Sequence, residues 1–253
     1  MVLSLLAGLA TAVGGALALF AKRDDSRFLC AALGFSAGVM VAVSFSELLP
    51  ESQKYLSASG RGGPLLSLGC FALGMAGTAA IDAFVPAPER ASGAAQASGR
   101  HEQALLRVGA VTAIAITVHN FPEGVTTFMA GYADLRIGLP VALSIALHNI
   151  PEGMAVAVPV YYGSGSRARG FWMSALSGLS EPFGALLAYL FLAPWLGRGL
   201  LGAVFGVVAG VMVYIAFAEL LPASEQYGGG RRAAAGVLSG ALVMLAAVSL
   251  FGG

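Results

Sequence analysis

Charge is what this sequence has least of. Only 11% of its 253 residues are Asp, Glu, Lys or Arg, against roughly 25% in soluble domains. Hydrophobic residues make up 57%, and the mean hydropathy is +0.81, so the chain partitions into lipid and not into water. The 14 basic and 13 acidic side chains leave a net charge of +1, which gives no reason to expect nucleic acid or an acidic partner. Cysteine is scarce as well. Cys30 and Cys70 each lie within or at the edge of an apolar segment, whereas a thiolate metal site needs clustered Cys or Cys/His spacing. Both read as small buried hydrophobes, with neither a disulfide nor a thiolate site expected. A basic start and a cleavage site are missing before and after the first apolar run, Met1 to Phe20, so it reads as a retained first helix.

What is present is a series of long apolar runs. They lie near 2–21, 28–49, 64–86, 105–130, 137–161, 170–194, 199–222 and 233–251, each long enough to cross a hydrocarbon core of roughly 30 Å. The expected fold is an all-α integral membrane protein of eight transmembrane helices forming one domain. Lys22, Arg23, Arg27, Arg90, Arg100, Arg107, Arg167, Arg169, Arg231 and Arg232 fall in alternate breaks, and only Lys54, Arg61, Arg136 and Arg198 in the others. That bias puts the first set in the cytoplasm, with both termini on the outer side of the inner (plasma) membrane. The break near 87–104 is Ala/Ser/Gly-rich and reads as a flexible cytoplasmic linker, its His101 a solvated side chain.

The chain repeats itself. Gly38-Val39-Met40-Val41 followed by Phe45-Ser46-Glu47-Leu48-Leu49-Pro50 returns 172 residues later as Gly210-Val211-Met212-Val213 and Phe217-Ala218-Glu219-Leu220-Leu221-Pro222. Helices 2 and 7 are therefore copies that cross in opposite directions, and helices 1–3 and 6–8 read as an inverted repeat around helices 4 and 5. Inverted repeats are the usual build of secondary transporters, with the substrate held near the midplane.

The central pair repeats too, as His119-Asn120-Phe121-Pro122-Glu123-Gly124 and His148-Asn149-Ile150-Pro151-Glu152-Gly153. On a helix each Glu neighbours both the His four residues back and the Asn three back. One carboxylate can therefore bridge two ions, and facing copies would make a binuclear site. Imidazole with carboxylate suits zinc and iron-like ions. Pro122 and Pro151 are expected to release the carbonyls of Val118 and Leu147 and to kink both helices. The bland alternative is interhelical hydrogen bonding that glues a bundle, but ionisable groups inside a membrane are functional by default.

Glu181, in Ser180-Glu181-Pro182, offers a third interior carboxylate. Glu47 and Glu219, just before prolines, are placed near the outer ends of helices 2 and 7 as entrance groups or interfacial charges. Asp82 reads as a solvated or structural residue at the cytoplasmic end of helix 3, and Met40 as a soft ligand, a gate or simple packing.

The paired hexapeptides, the Ser-Gly-Leu-Ser-Glu run at 177–181, the eight spans and the Glu-Leu-Leu-Pro repeats together resemble the ZIP family of divalent metal transporters over nearly the whole chain. The resemblance implies a 3+2+3 inverted-repeat bundle, often a homodimer, that moves zinc, iron, manganese, cobalt or cadmium into the cytoplasm. It implies a first site of His119, Glu123, His148 and Glu152, and a second of Asn120, Glu123, Asn149, Glu152 and Glu181. No prosthetic group is expected: the metal is cargo, and lipid and the ion are the partners. Two rivals share these residues. A metal-selective channel needs the same ligands. A zinc-dependent membrane hydrolase is opposed by the missing His-Glu-x-x-His pattern and by the inverted repeat.

Overall fold

The computed structural model describes residues 1–20, 26–60, 62–83, 98–195 and 197–251. Among these residues the chain runs through eight helices: α1 (Val2–Leu17), α2 (Ser26–Ala58), α3 (Gly63–Asp82), α4 (Ser98–Ala133), α5 (Leu135–Ser164), α6 (Arg167–Trp195), α7 (Arg198–Gly228) and α8 (Gly230–Phe251). Six of them, α2, α3, α5, α6, α7 and α8, are long and apolar enough to cross a membrane, and α1 is a shorter apolar helix. The outer surface is apolar: Leu65, Leu73, Phe191, Leu242 and Leu250 are exposed. Such a surface is stable against lipid and not against water. Trp172 and Trp195 are exposed on α6, 23 residues apart, which at 1.5 Å per residue is roughly 34 Å. That is the span between two interfacial aromatic belts.

The helices form two groups of four. In the first, α1 and α4 pack on α5, and α6 packs on α1, α4 and α5; in the second, α2 packs on α8, and α7 on α2 and α3. The inverted repeat is written into the backbone contacts. A methyl built on Gly38 would fall 2.0 Å from the carbonyl oxygen of Val237, and one on Gly210, its copy, 2.0 Å from that of Phe71. Gly240 against Phe35 and Gly74 against Val207, both at 2.0 Å, are a second reciprocal pair. Small residues at these points let helices approach closely in lipid, where dispersion and polar contacts replace the hydrophobic drive.

Helices α4 and α5 form a hairpin turned by Asp134 alone, whose side chain accepts from the Arg136 amide at 2.8 Å and caps α5. This tight turn lays the two hexapeptides side by side and antiparallel.

Three expectations from the sequence change. Pro50 and Pro222 do not end their helices. In each case a π-helical turn, Ser44–Leu48 or Ala216–Leu220, ends two residues earlier, and the helix continues to Ala58 or Gly228. A third such turn, Ala188–Leu192, stands in the same relation to Pro194. A proline ring clashes with the carbonyl four residues back, and a wide turn before it gives that carbonyl room. Pro122 and Pro151, by contrast, lie within helices that continue without interruption, so neither helix is broken there. Helix α4 begins at Ser98, inside the segment read as linker, while 84–97 lie outside the described residues.

Candidate metal site

The hairpin, α1 and α6 bring the sequence motifs together in the interior of the first bundle. Asn120, Glu123, His148, Asn149, Glu152 and Glu181 are all fully buried. Nε2 of His148 lies 3.2 Å from Oε1 of Glu123, tying α5 to α4. The amide nitrogen of Asn149 donates to Oε1 of Glu181 on α6 and, at 3.0 Å, to the carbonyl of Ala7 on α1. His119 belongs to α4 by sequence, and its side chain lies outside the described residues.

Close approach of backbones makes this convergence possible. A methyl on Gly124, next to Glu123, would meet the carbonyl oxygen of Glu181 at 2.0 Å, and one on Gly153, next to Glu152, that of Thr11 at 2.0 Å. The glycines that close the hexapeptides are thus needed for contact and not for turning.

Several buried polar atoms of the site have no hydrogen-bond partner among the described residues: both carboxamide atoms of Asn120, Oε2 of Glu123, Oδ1 of Asn149 and Oε2 of Glu181. Buried polar groups are almost always satisfied by protein, water or an ion. Buried carboxylates need a proton or a cation to neutralise them. The donors match divalent transition metals, imidazole and carboxylate with amide oxygen. Among the described residues no three His, Cys, Asp or Glu side chains stand close enough together to hold an ion.

Two clefts flank the site where the bundles meet. One, of about 300 Å³, is lined by Glu47, Glu51, Lys54, Arg136, Pro140 and Val141 among others. Glu47 accepts from Ser144 Oγ at 3.1 Å, and Ser144 stands one turn before His148. The other, of about 210 Å³, is lined by Asp82, Glu219, Val118 and Pro122 among others, and Tyr214 donates to Asp82 at 2.8 Å.

These clefts correct the placement of Glu219. Because α7 runs antiparallel to α2, its residues after Leu220 pack on the start of α2, while its start packs on residues 49–58. Glu219 therefore sits beside Asp82, at the opposite end from Glu47. Sequence reading also missed the polar contact between Asp82 and Tyr214, which needs two helices far apart in the chain. Met40 is fully buried in the apolar core and is not among the lining residues of these clefts.

Comparison with known proteins identifies the family. The sequence model of the family described as ZIP Zinc transporter matches residues 86–247. The chain is 48% identical to the zinc transporter ZupT of Chlorobium luteolum over 96% of its length and 94% of that protein. It is 45% identical to ZupT of Corynebacterium efficiens, covering 98% and 96% of the two chains, and 42% identical to ZupT of Streptococcus mutans, covering 99% and 96%. With buried carboxylates and imidazole gathered inside an apolar, inverted-repeat bundle, the chain belongs to the ZIP family, a family of zinc transporters and not of enzymes.

Proposed function

We propose that this chain carries divalent transition-metal ions, zinc foremost, across the inner membrane into the cytoplasm by alternating access. The observation that carries the reading is the group of fully buried carboxylates on α4, α5 and α6, those of Glu123 and Glu181 each with an oxygen unpartnered among the described residues. Charge of this kind in a membrane interior is costly unless a cation neutralises it.

Glu123 and Glu152 bridge two ions in this reading. His119 and His148 complete the first site, and Asn120, Asn149 and Glu181 the second. The excess of basic residues in alternate breaks puts the Asp82/Glu219 cleft toward the cytoplasm and the Glu47 cleft outside, with both termini on the outer side. An ion shedding water enters past Glu47 and Ser144 and reaches His148 one turn further on. It leaves past Pro122 toward Asp82 and Glu219 when the bundle of α1, α4, α5 and α6 moves against the other. Iron, manganese, cobalt and cadmium share the site because its donor set is mixed. The reading includes a homodimer, which crosslinking of the intact protein in its membrane tests.

The deciding experiment uses liposomes loaded with a zinc-sensitive dye, comparing the native chain with Glu123→Gln plus Glu152→Gln. Saturable uptake by the native chain, absent in the folded double variant, supports the reading. Equal uptake by both would sink the assigned site, and non-saturating conductive flux would make the protein a channel.

A further inference from the structure

The inverted repeat gives the residues of the hairpin site counterparts, Asn120 with Asn149 and Glu123 with Glu152. The glycine contacts supply one for Glu181 as well. Gly124 meets the Glu181 carbonyl, and Gly153 meets that of Thr11, each at 2.0 Å from an added methyl. Three residues further along α6 and α1 the pairing repeats, Gly184 against Phe121 at 2.2 Å and Gly14 against Ile150 at 1.9 Å. Between them α1 and α6 cross at Gly8 and Gly178, where an added methyl on either would meet the other's carbonyl at 2.4 Å. Thr11 on α1 therefore occupies the place that Glu181 occupies on α6.

Thr11 is fully buried, and its hydroxyl has no hydrogen-bond partner among the described residues. The hydroxyl faces the backbone of α6, 3.1 Å from where a Cβ on Gly178 would stand. Asn120 is in the same condition, with both carboxamide atoms unpartnered, whereas its counterpart Asn149 is held by Glu181 and the Ala7 carbonyl. The two halves of the site thus differ in charge. One side has Asn149 with a carboxylate; by the equivalence of α1 with α6, the other has Asn120 with a neutral hydroxyl.

We propose that Thr11 is a further member of the transport site, its hydroxyl and Asn120 together holding a water that the cargo ion retains. This rests on the reading of α4, α5 and α6 as the cargo site. A neutral half lets the ion keep part of its hydration, which suits ions that prefer oxygen ligands, manganese above all, more than zinc. It also leaves fewer charges to separate when the ion departs.

The test is uptake by proteoliposomes carrying native protein, Thr11→Val, Thr11→Ser or Thr11→Cys. Loss of a residue that acts through a bound water weakens metal affinity by about tenfold. Thr11→Val is therefore expected to raise the KM for manganese by that factor, with the maximal rate and the KM for zinc changed much less. Thr11→Ser, which keeps the hydroxyl, restores the native KM. Thr11→Cys, which replaces a hard oxygen by soft sulfur, raises the cadmium-to-manganese uptake ratio by about tenfold.

A native manganese KM in Thr11→Val, or a native metal ratio in Thr11→Cys, overturns the proposal. If Thr11→Val does not assemble, the Ser and Cys variants decide it. The Glu123→Gln plus Glu152→Gln variant is run alongside. Transport by that variant removes the cargo site and this proposal with it, whereas its inactivity together with native behaviour of the Thr11 variants removes the Thr11 proposal alone.

Discussion

His148 and Glu123 meet across the hairpin, Nε2 to Oε1 at 3.2 Å, with both side chains wholly inside the bundle. The first hexapeptide thus contributes its carboxylate and the second its imidazole to one contact, and removal of either breaks it. Glu123→Ala leaves His148 without this partner, at a cost of about 1–3 kcal/mol. Thermal unfolding in metal-free detergent is expected to show a lower midpoint for Glu123→Ala than for Glu123→Gln, which keeps a hydrogen-bonding oxygen. Equal midpoints would mean that the pair contributes nothing to the fold.

Asn149 is expected to matter through its nitrogen as much as its oxygen. In Asn149→Asp the donor to Glu181 and Ala7 becomes an acceptor, and a fourth carboxylate joins Glu123, Glu152 and Glu181. Repulsion lowers the midpoint without metal, while zinc raises it by a larger step than in the native chain, because ligand binding stabilises as RT ln(1 + [L]/Kd). A zinc-induced step smaller than the native one refutes this.

Gly124→Ala would drive α4 away from α6, since the added methyl lies 2.0 Å from a backbone oxygen that has no rotamer to escape into. Overpacking of this kind costs about 1–3 kcal/mol or more, and the displaced Glu123 and Glu181 should end uptake as well. Gly69→Ala is the control, because nothing lies within 4 Å of its added methyl and Gly69 lines neither cleft. Its uptake and midpoint should match the native chain.

Glu47→Gln removes the charge from the outer cleft and leaves the contact with Ser144 available. Glu51 is paired with Lys54 at 2.7 Å, so Glu47 is the carboxylate left to attract an entering cation beside Arg136, and the KM for zinc is expected to rise about threefold at low ionic strength, with the maximal rate kept. Raising the salt concentration should shrink the difference. A fall in maximal rate at constant KM would place Glu47 in the moving parts and not at the entrance.

Acid should slow uptake. Imidazole and carboxylate bind metal only when deprotonated, so protons and ions compete for the site. Between neutral and mildly acidic pH the KM for zinc is expected to increase while saturating metal recovers most of the rate. An unchanged KM argues against competition at His148 and the glutamates.

Much of this arrangement was legible in the sequence because lipid simplifies the reading. Apolar runs mark the helices, and a Glu inside one has nowhere to go but inward. The paired hexapeptides predicted a facing hairpin, and Asp134 closes it. Other features depended on distance in the chain. That α1 leaves α2 and α3 to pack with α4, α5 and α6 follows from contacts at Gly14 and Gly153, which no local pattern reveals. Glu219 was placed at the wrong end because its motif copies that of Glu47, although the copy runs the other way. Thr11 carried no motif at all. Pro50 and Pro222 suggested helix ends because the relief by a π-helical turn is set by backbone hydrogen bonding and not by residue type.

Those wide turns also bear on how the helices can slide. A π-helical turn holds its carbonyls more loosely than an α-helical one, and the turns at Ser44–Leu48 and Ala216–Leu220 begin 172 residues apart, at equivalent positions of the repeat. A third, Ala188–Leu192, stands in the same relation to Pro194 outside that pair, so the proline and not the repeat sets the turn. Each of α2, α6 and α7 therefore has one place where its backbone ladder is already widened, and bending there costs less than in the α-helical turns on either side.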